Sequence, residues 1–180
     1  MHERSFLLRF AAPAAVAALT AAAAAQAPAP PSPGGGQAPA AGARTETRHL
    51  VLTTSASELR GGRATLNVDV ALKPKMHVYA PDQPKDQDYM PIVLTLANGD
   101  AYRAEKPRYP PAEKFFFAPL KETQHVYSKP FRITQPIAVS KTTGTDALTI
   151  SGTVRYQACD DAICYVPQTV AVKWTLEGRR

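Results

Sequence analysis

Along most of this chain apolar residues recur at every second position, and that period constrains the fold more than any other feature. Leu66, Val68, Val70 and Leu72 alternate with Thr65, Asn67, Asp69 and Ala71. The same spacing returns in Ile92, Leu94 and Leu96, in Leu148, Ile150, Gly152, Val154 and Tyr156, and in Val170, Val172, Trp174 and Leu176. Shorter candidates are Leu50 to Thr53, Tyr102 to Glu105 and Phe131 to Thr134, the last extendable through Ile137 to Val139. A period of two buries one face of an antiparallel sheet, because successive side chains of a strand point to opposite sides. Prolines punctuate the gaps at Pro74, Pro81, Pro84, Pro91, Pro107, Pro110, Pro111 and Pro119, and no segment shows a helical face. Roughly seven to nine short strands with turn signals between them predict an all-β, immunoglobulin-like β-sandwich over residues 45–180.

The N-terminal quarter has a different character. Arg4 and Arg9 precede an apolar run from Phe10 to Ala25, and Ala23 and Ala25 offer a small-x-small cleavage site. Residues 1–25 therefore read as a secretory signal peptide. The run falls short of the roughly 20 residues a membrane span needs, so the mature protein is expected not to span the membrane. No cysteine follows it, which argues against a lipid anchor, and its arginine-led, alanine-rich make-up points to bacterial export into the periplasm. Residues 26–44 are dominated by Ala, Pro, Gly and Gln and cannot bury a core, so they read as a disordered, flexible linker. With both segments set aside, residues 45–180 hold 18 Lys and Arg against 14 Asp and Glu, without a basic run, and no nucleic-acid partner is expected.

Two cysteines are too few for a disulfide-dense scaffold, and with four scattered histidines they match no structural zinc pattern. Neither a metal nor a cofactor is expected. Cys159 and Cys164 lie in Tyr156-Gln157-Ala158-Cys159-Asp160-Asp161-Ala162-Ile163-Cys164-Tyr165-Val166-Pro167, between two alternating segments. In an extended chain their Cα atoms would stand about 17 Å apart. If Asp160 to Ile163 form a hairpin loop, the two residues face each other at roughly 4.5–5.5 Å, within disulfide range. The plain reading is a stabilising disulfide in an exported protein. Yet closing so short a loop restrains the unfolded chain by only about 2 kcal/mol, against about 4–5 kcal/mol for a long one. A pair joined by a tight turn can also open and close without unfolding the domain. Asp160 and Asp161 disfavour a neighbouring thiolate, so the pair would react best when a docked partner changes the local field; simple turn chemistry accounts for the two aspartates equally well.

The Tyr156–Asp161 stretch with Cys164-Tyr165-Val166-Pro167 resembles the active-site hairpin of the N-terminal periplasmic domain of the thiol:disulfide interchange protein DsbD family. The resemblance runs from about Thr45 to the C-terminus and takes in His77-Val78-Tyr79, the proline-rich turn near Pro110 and His125-Val126-Tyr127. It implies an immunoglobulin-like domain whose Cys159 and Cys164 cycle between dithiol and disulfide, a thiol-disulfide oxidoreductase of protein-disulfide reductase type. Cys164 would form the mixed disulfide with a partner and Cys159 would resolve it. Electrons would come from a thioredoxin-like reductant or membrane thiol transporter and pass to periplasmic disulfide isomerases or cytochrome c maturation proteins. The family also implies a cap loop, expected within Lys114 to Glu122 with Phe115, Phe116 and Phe117 as shields, and a tyrosine beside the cysteines, matched by Tyr79. Core packing or a docking patch would use the same phenylalanines. Tyr156, Asp160, Asp161 and Tyr165 complete the supporting set.

Two departures stand out. The family's cap carries an acidic pair, where this chain has Phe-Phe-Phe-Ala-Pro-Leu. The chain also ends at Arg180, so it is expected to act as a stand-alone version fed by a separate reductant. Two rival readings remain: a non-catalytic β-sandwich binding or adaptor module with a structural disulfide, and copper handling through Met76, His77, Met90, His125 and the thiols. The copper residues are scattered, and such side chains in strands more often pack or face solvent.

Overall fold

The alternating segments form the strands that carry most of the core. The computed structural model describes residues 40–84, 87, 89–118, 120–140 and 147–177. The expected signal peptide and the linker through residue 39 lie outside the described residues. The strands are β1 (Ala40–Glu46), β2 (Leu50–Ala56), β3 (Arg63–Leu72), β4 (His77–Tyr79), β5 (Val93–Leu96), β6 (Tyr102–Ala104), β7 (Glu113–Phe117), β8 (Glu122–Tyr127), β9 (Phe131–Val139), β10 (Leu148–Tyr156), β11 (Ala158–Cys159) and β12 (Gln168–Leu176). They build three antiparallel sheets in the orders β1-β2-β3-β9-β6, β12-β10-β5 and β11-β4-β8-β7. The arrangement is all-β and open-edged, an immunoglobulin-like β-sandwich.

Each long strand contributes every second side chain to one core. Leu66, Val68 and Val70 of β3 and Ile133 and Ile137 of β9 meet Ile150, Val154 and Tyr156 of β10 and Val172, Trp174 and Leu176 of β12. Polar anchors cross between the layers. The Trp174 indole donates to the Asn67 carbonyl at 2.9 Å, and the Thr54 hydroxyl donates to the Lys173 carbonyl at 2.8 Å. Tyr156 is fully buried, and its hydroxyl lies 2.8 Å from the Thr47 hydroxyl and donates to Gln168 Oε1 at 2.7 Å. A buried phenol needs such partners, since an unpaired hydroxyl would be costly.

The structure has more strands than period two alone predicts. β4 and β11 are too short to show a period, β7 is an uninterrupted Phe-Phe-Phe run, and β8 mixes polar residues into its apolar set. β1 begins at Ala40, so residues 40–44, read as the end of the linker, pair with β2. Backbone hydrogen bonding, which needs no apolar pattern, carries that pairing.

The four-stranded sheet positions the cysteines. β10 continues through Gln157 into β11, where Ala158 pairs with Val78 and Cys159 with His77. Its core-facing side presents Val78, Tyr127 and Ala158, all members of the main core. The other side carries a separate small cluster of Tyr79, Val126 and Cys159, with Tyr89 and Phe115 packed on it. The disulfide thus lies outside the main core. Reduction is expected to leave the far-ultraviolet circular dichroism unchanged and to lower the free energy of unfolding by only about 2 kcal/mol, measured by urea denaturation of oxidised and reduced protein.

Candidate functional site

Cys159 and Cys164 are joined as a disulfide, with Cα atoms 4.0 Å apart. The turn between them is held by its own backbone: Asp160 N–H donates to the Ile163 carbonyl at 2.9 Å, and Tyr165 N–H donates to the Ala158 carbonyl at 2.8 Å. The Asp160 carboxylate closes the loop from inside, accepting from the N–H groups of Ala162 and Ile163, each at 2.8 Å, and from the Tyr165 hydroxyl at 2.7 Å. An aspartate bonding to the backbone two and three residues ahead is turn chemistry, the plainer of the two roles open to it in the sequence. Those three donors, led by the Ile163 N–H, lower its pKa from 3.8 to about 2. Asp161 is exposed.

The two sulfurs differ in access. Cys159 is 1% exposed, whereas Cys164 is open to solvent. The Tyr79 hydroxyl lies 3.4 Å from Cys164 Sγ, and since a disulfide sulfur has no proton, the phenol donates. Burial of Tyr79, with Tyr89 and Glu122 nearby, pushes its pKa up to about 12, so it remains a donor at neutral pH. Its ring stacks on Tyr89 at 4.4 Å. Tyr89 in turn donates to the Glu122 carboxylate and accepts from Gln124 Nε2 at 2.9 Å. Tyr89 sits in a proline-rich segment with no period to mark it, so only its stacking partner reveals it.

Over the segment expected to hold the cap, β7 and β8 pair antiparallel as a β-hairpin, with Phe117 opposite Glu122. Alternation along β7 separates the three phenylalanines. Phe115 packs on the Cys159 cluster, and Phe117 is half-buried with its ring 6.4 Å from that of Phe115. Phe116 points the other way and is 61% exposed, so it does not cover the sulfurs. Exposed Ile163 and Val166 flank Cys164 along the chain and leave an apolar collar beside the accessible sulfur.

Tyr165 and Tyr156 support the hairpin from behind. The Tyr165 ring lies 4.5 Å from that of His49, and Gln157 Nε2 donates to the Tyr165 carbonyl at 3.1 Å. His49 is buried, neither ring nitrogen has a hydrogen-bond partner, and burial lowers its pKa. Tyr156 belongs to the core and anchors the strand that delivers Cys159.

His77 is the cross-strand partner of Cys159 and is itself buried. Its ring lies 5.2 Å from Phe115 and 6.3 Å from Tyr79. A groove of about 260 Å³ opens beside it, lined by Met76, His77, Glu113, Lys114, Phe115 and Asp161 among others. Met76 and His77 share this groove, but His125 occupies the opposite face of the sheet, where its Nδ1 donates to the Asp82 carbonyl at 2.8 Å. Among the described residues no group of three or more His, Cys, Asp or Glu could hold a metal ion. Among the described residues no helix is long and apolar enough to cross a membrane.

The family model described as thiol:disulfide interchange protein DsbD, N-terminal, matches residues 48–175. Among solved structures, the chain is similar to the N-terminal periplasmic domain of ScsB from Proteus mirabilis, with a TM-score of 0.55 and 12% identity. The match covers 78% of this chain and 52% of that one, so the chain spans about half the length of that relative. No curated protein matches the chain.

The turn has a pH dependence that follows from Asp160. Its pKa is depressed in the folded protein, so its contribution is present above the unfolded value and is lost as pH falls toward about 2. Amide exchange at Ala162 and Ile163 is expected to show no change in protection down to about pH 5 and faster opening between about pH 4 and pH 2. Asp160→Asn should weaken protection at neutral pH and remove the acid-dependent step.

Proposed function

Because the chain belongs to the family of DsbD N-terminal domains, we propose that it is a periplasmic thiol-disulfide exchange module relaying electrons through Cys159 and Cys164. The observation that carries this reading is the unequal burial of one disulfide: a partner can reach Cys164 and cannot reach Cys159. Attack on a disulfide needs a line of approach to one sulfur, and resolution needs a second sulfur already in place.

In the reducing direction the Cys164 thiolate attacks a disulfide of the partner. A mixed disulfide forms and the partner's second sulfur leaves as a thiolate. Cys159 then attacks Cys164 Sγ, the Cys159–Cys164 bond forms, and the partner departs as a dithiol carrying two electrons. A thioredoxin-like reductant or membrane thiol transporter restores the dithiol by the reverse exchange, and disulfide isomerases or cytochrome c maturation proteins accept the electrons. The Tyr79 hydroxyl, 3.4 Å from Cys164 Sγ, supports a thiolate there by donating to it. The exposed apolar side chains of Ile163 and Val166, on either side of Cys164 in the chain, support docking of a partner over that sulfur.

Titration of the native protein against a thioredoxin-like dithiol, with alkylation and mass readout, is expected to open the disulfide while the fold persists. A bond that resists until the domain unfolds would overturn the relay in favour of a static disulfide. Cys159→Ala should accumulate covalent adducts through Cys164 in an exported extract. Cys164→Ala should accumulate far fewer, and the reverse pattern would exchange the two roles.

A further inference from the structure

Resolution of the mixed disulfide requires Cys159 to lose a proton in a place that discourages it. Burial disfavours the thiolate, and so does the negative charge of the neighbouring turn. A proton acceptor close to this sulfur would remove the obstacle. Most polar groups around it are ill suited. Asp160 is occupied by three donors and has its pKa lowered to about 2, which makes it a weak base. Tyr79 is fixed as a donor, with a pKa of about 12. Glu122 accepts from Tyr89, Glu113 accepts from the Ser128 hydroxyl and pairs with Lys129, and the rest of β7 brings rings and one lysine.

His77 remains. It is paired with Cys159 in the β4–β11 ladder, which sets their side chains on one face with Cβ atoms about 4.5–5.5 Å apart. Phe115 and Tyr79 pack around its ring and restrict its motion. Resting on the exchange reading above, we propose that His77 accepts the Cys159 proton as that sulfur attacks the mixed disulfide at Cys164. The electron pair of the broken bond leaves on the partner's sulfur, the new bond joins Cys159 to Cys164, and the proton stays on the imidazole until solvent in the adjoining groove removes it.

The charges facing His77 suit both of its states. Burial lowers its pKa, so the imidazole is neutral and available as a base near neutral pH. Asp161 and, more weakly, Asp160 on the hairpin oppose that effect and favour the imidazolium once it forms. Lys75 on its own segment and Glu113 and Lys114 on β7 line the same groove with charges of both signs.

The test uses the reduced protein and dithiobis(nitrobenzoate), whose coloured thiolate leaves without needing a proton. The first equivalent is released at a rate proportional to reagent, as the mixed disulfide forms. The second is released at a rate independent of reagent, as Cys159 resolves it. His77→Gln is expected to slow only the second phase, by about a hundredfold at pH 7, and progressively less toward pH 9, where the thiol ionises unaided. His77→Asn should behave alike, with circular dichroism checking the fold of both. A second phase with the wild-type rate and pH profile in both variants would overturn the role of His77 and leave the relay intact. Equal slowing at every pH would also overturn it, in favour of packing alone. A wild-type protein that stops at the mixed disulfide at all pH values would remove the relay and this role together.

Discussion

A strand can send only alternate side chains to one side, and the four-stranded sheet uses that limit to keep its chemistry apart from its core. Val78, Tyr127 and Ala158 face inward and join the main cluster, while His77, Tyr79, Val126 and Cys159 lie on the reverse. A slip of one residue in the β4–β11 pairing would exchange the two sets, placing the cysteine in the core and Ala158 at the site. Tyr156 guards against that slip. Its ring is fully buried two residues before Ala158, and its hydroxyl is tied to Thr47 and Gln168 on separate strands or loops. The position of Cys159 is therefore set by sandwich packing before any disulfide forms.

Independence of fold and disulfide has an energetic basis. A bond across a six-residue ring restrains the unfolded chain by about 2 kcal/mol, a modest share of what a domain of this size gains from burying apolar surface. Opening it disturbs the turn, whose own hydrogen bonds run through Asp160 and the backbone rather than through sulfur. A static disulfide would stabilise more if it bridged distant strands. Placed at the tip of a hairpin, this one contributes little to stability and can change state at little structural cost.

Legibility in the sequence followed strand length and burial. β3, β10 and β12 show clean alternation because each has one face in the core, whereas β9, with polar Gln135 in its buried set, was legible only in part; the hairpin was readable from the cysteine spacing between β10 and β12. β4, β7 and β8 were not readable as strands by period, because they carry apolar side chains on both faces, one for the core and one for the sulfurs. The same duality left the reading of Phe115, Phe116 and Phe117 open between shield, core packing and docking patch. A triple repeat carries no phase, and only the register with Thr123 and Gln124 decides that Phe115 meets the cysteine side while Phe116 faces solvent. His77 drew notice in the sequence only within the His77-Val78-Tyr79 resemblance and as a soft metal ligand. Its link to Cys159 is a pairing between segments about eighty residues apart, which no local pattern encodes.

In the proposed exchange, the unequal burial of the two sulfurs would also order the events at the site. A partner would meet Cys164, which is exposed and has a phenol that donates to its sulfur. Cys159 sits behind it in a cluster of rings, where few molecules other than Cys164 itself can reach. Exposure thus favours encounter at one sulfur, and burial protects the other from side reactions while the mixed disulfide persists. Protection has a cost, because the same burial holds the Cys159 proton on its sulfur. A neutral imidazole across the ladder, with two carboxylates of the turn facing it, meets that cost locally and leaves the accessible face free for the partner.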